Sequence, residues 1–237
     1  MVSPSVERWH KVGFVFSFFV RFVMVVLVGV AAYCFWPRAG SLGAFDPDRM
    51  ARLQVEARRL EDGKKKEALF VIYRIFEGQY GIPPLSAAPA AWHFSEALTL
   101  FDEAADHADG ERALPFLERT FSILKEQTDG LFDASVVARL ELYAWLLARD
   151  RGKQSQLAAV LSEQLALVHG GSARSYDSVA VDFARARRLA AARQWGAAMD
   201  AETVAWRRLR GMLDRSSQAE SPLSGQEKTT APPGALD

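Results

Sequence analysis

Residues 67–98 read EALFVIYRIFEGQYGIPPLSAAPAAWHFSEAL, two apolar runs separated by a break rich in glycine and proline. In the first run Ala68, Leu69, Val71, Ile72, Ile75 and Phe76 recur at helical spacing and cover a wide face, which predicts a buried helix beginning at Lys64 to Lys66. Residues 78–84 break the chain. A second helix is expected from Ser86 to about Asp106, with Trp92, Phe94, Leu98 and Phe101 as its packing surface and Pro89 tolerated in its first turn.

The same alternation continues toward the C-terminus. A turn is expected over residues 107–110, then a stripe of Leu114, Leu117, Phe121 and Leu124 on a helix that should start near Pro115 or bend there. Asp133 suits a helix N-cap, with Val136, Val137, Leu140, Ala144 and Leu147 on one side of the helix that follows. Leu157, Val160, Leu161, Leu165 and Val168 repeat the period before His169, Gly170 and Gly171 stop it. A further helix starts at Asp177 or Ser178, and Gln194, Trp195 and Gly196 form a turn before a last one ending near Leu213. Toward the N-terminus, Asp46 can cap a helix whose first turn holds Pro47 and which ends at Asp62 and Gly63. No segment alternates with period two, so the expectation is all-α, built from antiparallel helical hairpins over residues 46–215.

Residues 13–36, GFVFSFFVRFVMVVLVGVAAYCFW, have a different character. At about 1.5 Å of rise per residue they would extend roughly 36 Å, against a hydrocarbon core of about 30 Å, so a single transmembrane helix is expected. Arg21 can lift its charge to the nearer surface, or pair with an acidic group on another membrane helix. Trp36 and Pro37 mark the far interface. Arg8, Lys11 and Arg21 against Arg38 favour an N-terminus in the cytoplasm and a C-terminal domain outside it. A cleaved signal peptide is the rival reading, opposed by the long apolar run and by the Trp-Pro pair before Ala39 and Ser41. Residues 1–12 form a short polar arm, 37–45 a linker, and 216–237, without apolar period, a disordered tail.

Composition excludes several classes. Twenty-nine basic and twenty-nine acidic residues cancel, leaving no electrostatic footprint for nucleic acid. Cys34 is the only cysteine, so no intramolecular disulfide can form. No phosphate-binding Gly-Lys-Ser/Thr loop, His-Glu-x-x-His pair or Gly-x-Ser-x-Gly elbow occurs. The nearest approach to a metal-ligand cluster is Asp102, Glu103, Asp106, His107 and Asp109, which reads more simply as an exposed acidic helix end. His93, beside Trp92, reads as a partly buried side chain rather than a proton carrier. Catalytic, cofactor and metal residues are accordingly expected to be none.

Tyr73, Gly78, Gly81-Ile82 and Trp92, in that order within residues 67–98, resemble a Sel1-like repeat, a relative of the tetratricopeptide repeat. Residues 143–167 and 187–209 are similar to looser tetratricopeptide units. The resemblance implies a helical solenoid that binds other proteins, often in assembly, secretion or maturation of envelope complexes. Tyr73, Trp92, Trp145 and Trp195 are expected in its core. The combined expectation is a single-pass, membrane-anchored adaptor in a bacterial inner membrane, with its domain in the periplasm, lipid contacts through 13–36 and other envelope proteins as partners. The alternatives are a membrane-bound hydrolase of peptidoglycan or a similar polymer, and a helper subunit acting through its transmembrane helix on a channel or transporter.

Overall fold

The computed structural model describes residues 22–33, 40–61, 63–105, 107–150 and 152–220. Among these the chain is helical and contains no strand. Helix α1 covers residues 22–33, and α2 (Pro47–Glu61), α3 (Lys65–Gly78), α4 (Pro84–Glu103), α5 (His107–Gly110), α6 (Leu114–Gln127), α7 (Ala134–Arg149), α8 (Gln154–His169), α9 (Asp177–Ala191) and α10 (Trp195–Glu220) follow.

The helix boundaries follow the local chemistry. Asp46 Oδ1 accepts from the Asp48 and Arg49 amides at 3.0 and 3.1 Å, and Asp133 Oδ1 accepts from Ser135 and Val136 at 2.9 and 3.2 Å, so both expected caps satisfy amides that the helix itself leaves open. Gly170 ends α8 at φ 79°, a conformation that costs an L side chain. Pro115 lies in the first turn of α6, where no amide hydrogen is needed. Pro89 departs from expectation. Helix α4 begins at Pro84, so Pro89 falls in the second turn and removes one interior hydrogen bond. Residues 107–110, expected as a turn, make one helical turn that runs into a 3-10 segment before α6. Helix α10 also exceeds expectation. It continues through residues 216–220 of the expected tail, and the rest of that tail lies outside the described residues.

Successive long helices pack side by side in the order α2, α3, α4, α6, α7, α8, α9, α10. Their short connections force neighbours to run antiparallel. A simple stack of hairpins would leave its two ends apart; here α10 returns to pack on α2, closing a ring. Arg207 donates to both carboxylate oxygens of Asp48 at 2.7 and 2.9 Å across this closure. The Phe45 and Trp206 rings meet edge to face at 4.9 Å beside it. Alanines with little or no exposure on the inner faces, among them Ala90, Ala144, Ala180, Ala184 and Ala205, let the helices approach closely.

Residues 40–46 are more than a linker. The Gly40 amide donates to Gln127 O at 3.1 Å, Ser41 N to Tyr80 O at 2.9 Å and Asp46 N to Gln79 Oε1 at 3.1 Å, while the Arg210 guanidinium donates to Gly43 O. A Cβ at Gly40 would sit 2.8 Å from Gln127 O and 3.0 Å from Tyr80 O, so only glycine fits this crossing. The strap is therefore laced to the C-terminal ends of α3 and α6 and to α10, at one end of the ring. Tyr33 Oη donates to Glu77 Oε1 at 2.7 Å and holds α1 at that same end.

Among the described residues no helix is long and apolar enough to cross a membrane. The described part of the expected anchor is α1; residues 13–21 and 34–36, including Arg21, Cys34 and Trp36, lie outside the described residues. What α1 shows is apolar side chains on every side. At 100° per residue, exposed Phe22, Val30, Leu27, Val28 and Val25 lie at about 0, 80, 140, 240 and 300° around its axis.

Candidate functional site

The ring encloses a cavity of about 170 Å³, and each of its eight helices contributes to the wall. Most of the lining is apolar, with Ile72, Phe76, Phe94, Leu124, Leu161 and Phe183 among it. Into this wall α7 and α10 each insert the same pattern, Glu-x-x-Ala-Trp: Glu141 to Trp145 and Glu202 to Trp206. Spacing of four places the carboxylate and the indole on one helix face. Trp145 Nε1 donates to Glu141 Oε1 at 2.6 Å, and Trp206 Nε1 donates to Glu202 Oε1 at 3.2 Å. The intervening Ala144 and Ala205 are fully buried.

The two carboxylates have different company. Glu141 Oε2 also accepts from Gln164 Nε2 at 2.8 Å and from Arg187 Nη2 at 2.9 Å. Burial alone would raise its pKa, but the charge and hydrogen bond of Arg187, the Gln164 bond and the charge of Arg58 outweigh burial and hold the carboxyl below its usual range. Glu202 is pushed up instead. Burial dominates there, the negative charge of Glu141 adds to it, and Arg58, Arg187 and the Trp206 bond only partly compensate. Burial likewise pushes the His169 imidazole, at the end of α8, down to about 4, so it lines the cavity uncharged at neutral pH.

A second, outer space of about 380 Å³ adjoins the cavity across Arg58, Leu98, Trp145 and Arg187, which line both. Its other walls are Phe101, Asp102, Ala148, Arg149, Ala190, Ala191, Arg193 and Trp195. These residues come from the C-terminal halves of α2, α4, α7 and α9 and from the start of α10 and the turn before it, so the cleft opens at the end of the ring opposite the strap and α1. Four arginines and one aspartate are its charged side chains. Arg149 is occupied, donating to Asp102 Oδ1 at 2.8 Å and to Phe101 O at 3.0 Å, with its guanidinium 3.9 Å from the Phe101 ring centre. Arg187 is occupied on one side only: Nη2 bonds Glu141, while Nη1 is buried without a hydrogen-bond partner. An unsatisfied buried guanidinium nitrogen is costly and therefore informative.

The acidic cluster singled out in the sequence is dispersed. Asp102 pairs with Arg149, and Glu103 pairs with Lys65 at 3.0 Å. Asp106 lies outside the described residues, and among those described no group of three or more His, Cys, Asp or Glu is placed to hold a metal. His93 is half-buried between Trp92 and Phe116, with ring centres 4.8 and 6.1 Å away, and its Nδ1 is buried without a partner. Burial, with the charge of Arg119, lowers its pKa. Of the four aromatics expected in the core, Trp145 is buried, and Tyr73 and Trp195 are partly covered. Trp92 is 47% exposed, because α4 turns it outward over Phe116. The sequence reading missed Glu141, Glu202 and Arg187. The doubled Glu-x-x-Ala-Trp pattern was the signal that could have found the first two.

Compared with known proteins, the chain matches no family model, no curated protein and no solved structure.

Proposed function

We propose that this chain is a membrane-anchored helical adaptor of the Sel1-like and tetratricopeptide kind, which presents its ring to a partner protein of the bacterial envelope. The observation that carries the reading is α1, whose exposed side chains are apolar around its whole circumference. A rod of this kind is stable in lipid or sheathed by another helix, and unfavourable bare in water. The strap fixes this rod to one end of the ring and leaves the other end facing away, as an anchored receptor requires. Residues 67–98, 143–167 and 187–209 each fall on a helix, turn and helix, in keeping with the repeat likeness. On the outside, the half-exposed Trp92 beside Phe116 is the kind of aromatic that anchors protein interfaces.

In this reading residues 13–36 span the inner membrane, the N-terminus is cytoplasmic and the ring is periplasmic. Alkaline carbonate washing should leave the full-length chain in the membrane fraction, and a reporter fused after Asp237 should be active only outside the cytoplasm. Cross-linking in intact membranes should recover a protein partner that the Trp92→Ala variant loses. A chain released by carbonate, or cross-linking that recovers no partner, would sink the reading.

The buried Glu202 carboxyl favours one second reading, hydrolysis of an envelope polymer. A raised glutamate beside a depressed one is the pairing that acid catalysis uses. That reading requires polymer cleavage in a zymogram that disappears in Glu202→Gln.

A further inference from the structure

The charges around the ring's cavity are matched within its wall. Glu141 and Glu202 stand against Arg58 and Arg187, and His169 is uncharged at neutral pH, so an ion of either sign finds no surplus of the opposite charge. Several donors of the wall are also spent: the Trp145 and Trp206 indoles and Gln164 Nε2 on the two glutamates, and Thr120 Oγ1 on Phe116 O at 3.0 Å. Tyr80 is an exception. Its Oη has no hydrogen-bond partner among the described residues and, unlike Arg187 Nη1, it keeps surface that another atom can touch. Burial and the charges of Glu141 and Glu202 push its pKa up, so the phenol keeps its proton and remains a donor. A hydroxyl that feels one glutamate from α7 and another from α10 lies inside the ring, not on its rim. The strap steadies this residue: Ser41 N donates to Tyr80 O at 2.9 Å, and the Tyr80 ring packs 6.3 Å from that of Phe76. The space is about 170 Å³, slightly more than the roughly 150 Å³ of a dry apolar cavity that takes up benzene.

We propose that the cavity is a binding site for a small uncharged molecule, one ring in size, whose hydroxyl or carbonyl oxygen accepts from Tyr80 Oη while its ring sits among Ile72, Phe94, Leu161 and Phe183. An ion is excluded because it would give up its hydration in an apolar wall whose charges already have partners. A hydrocarbon of the same size fills the space but leaves the Tyr80 donor unused. The ring therefore supplies most of the affinity and the oxygen supplies the preference. Tyr80 Oη makes no hydrogen bond that the fold depends on, so its hydroxyl, as distinct from its ring, serves the ligand. The ring architecture supplies what an open stack of hairpins would not: an enclosed apolar pocket with one open donor. The site does not involve α1, so it stands or falls apart from the adaptor reading.

The test uses the purified full-length chain in detergent, with protein-free detergent as the blank, and follows titration heat and the fluorescence of the tryptophans, of which Trp145 and Trp206 line the cavity. The probes share one ring: benzyl alcohol, toluene, benzoate and benzylamine. Saturable one-to-one binding of benzyl alcohol is expected at pH 7, with benzoate and benzylamine each at least tenfold weaker. Tyr80→Phe removes the donor alone. It should leave the thermal unfolding midpoint unchanged, weaken benzyl alcohol at least fivefold and change toluene binding less than twofold. Absence of saturable benzyl alcohol binding would mean that the space holds only water, and would overturn the proposal. So would benzoate or benzylamine binding as tightly as the alcohol, or a Tyr80→Phe variant that binds the alcohol as the parent does or weakens alcohol and toluene alike. The four probes on the parent chain decide the uncharged character of the site even if the variant is less stable.

Discussion

Glu141 and Glu202 occupy the same place in the same five-residue pattern, lie against the same cavity and are equally hidden from water, yet their carboxyls are driven in opposite directions. The partners brought by other helices make the difference. Glu141 on α7 meets Gln164 from α8 and Arg187 from α9, so three donors share its two oxygens. Glu202 on α10 has the Trp206 indole and the charges of Arg58 and Arg187, which together offset only part of its burial. A local motif sets where a carboxylate points; the helices packed around it set its protonation.

The strongest way to break the comparison is to remove the cation that only one of the two binds. In Arg187→Met the Glu141 carboxylate stays buried with its countercharge gone, and a loss of about 3 to 5 kcal/mol in urea unfolding is expected. Glu141→Gln exposes the same dependence from the other side, leaving Arg187 buried without its anion at a cost of about 3 kcal/mol. The double variant should recover most of either loss, because a neutral pair of similar volume has no charge to desolvate. If the two losses simply add, the ion pair is not what separates Glu141 from Glu202.

The indole bonds give a smaller and graded contrast. Trp145→Phe removes a 2.6 Å bond to a buried carboxylate held by a cation and should cost about 1.5 to 3 kcal/mol, whereas Trp206→Phe removes a longer, 3.2 Å bond to a carboxyl whose pKa burial raises and should cost about 0.5 to 1.5 kcal/mol. Equal losses would mean that the rings matter for packing alone.

Much of the helical scaffold was legible in the sequence because it is local. Asp46, Asp133, Pro115 and Gly170 act within one turn of their own positions, and each does in the fold what its chemistry implies. Ring closure was not legible. It depends on Asp48 meeting Arg207, 159 residues away, and on Phe45 meeting Trp206, and apolar periodicity is silent about which stripe faces which. The same limit hid the site. Arg187 reads as one more basic residue in an arginine-rich helix until α7 delivers Glu141 to it, with Gln164 of α8 donating to the same carboxylate. Trp92 was misplaced for a related reason: an aromatic at helical spacing looks like core, and only the packing of α4 on its neighbours decides that it lies beside Phe116 at the surface. The final turns of α10, over residues 216–220, lack an apolar period and continue on the momentum of the packed helix before them.

The smallest effect is the most diagnostic. Glu202 has a folded pKa above its unfolded value, so between those two values the folded chain holds a proton that the unfolded chain has released. Its contribution is therefore fully present below the unfolded pKa and declines as pH rises through the folded one. Glu141 runs the other way. Its folded pKa is depressed, so its contribution is present above the unfolded pKa and is lost as pH falls through the folded value. Glu202→Gln keeps the shape and a hydrogen-bonding group but removes the ionisation. It should change stability by less than about 1 kcal/mol at acidic pH. At higher pH it should exceed the parent, because only the parent then carries an underpaired buried charge. Unfolding measured from pH 4 to 8 should thus show the two curves separating as pH rises. Curves that stay parallel would mean that Glu202 titrates as freely as an exposed carboxylate, and the contrast between the two glutamates would be lost.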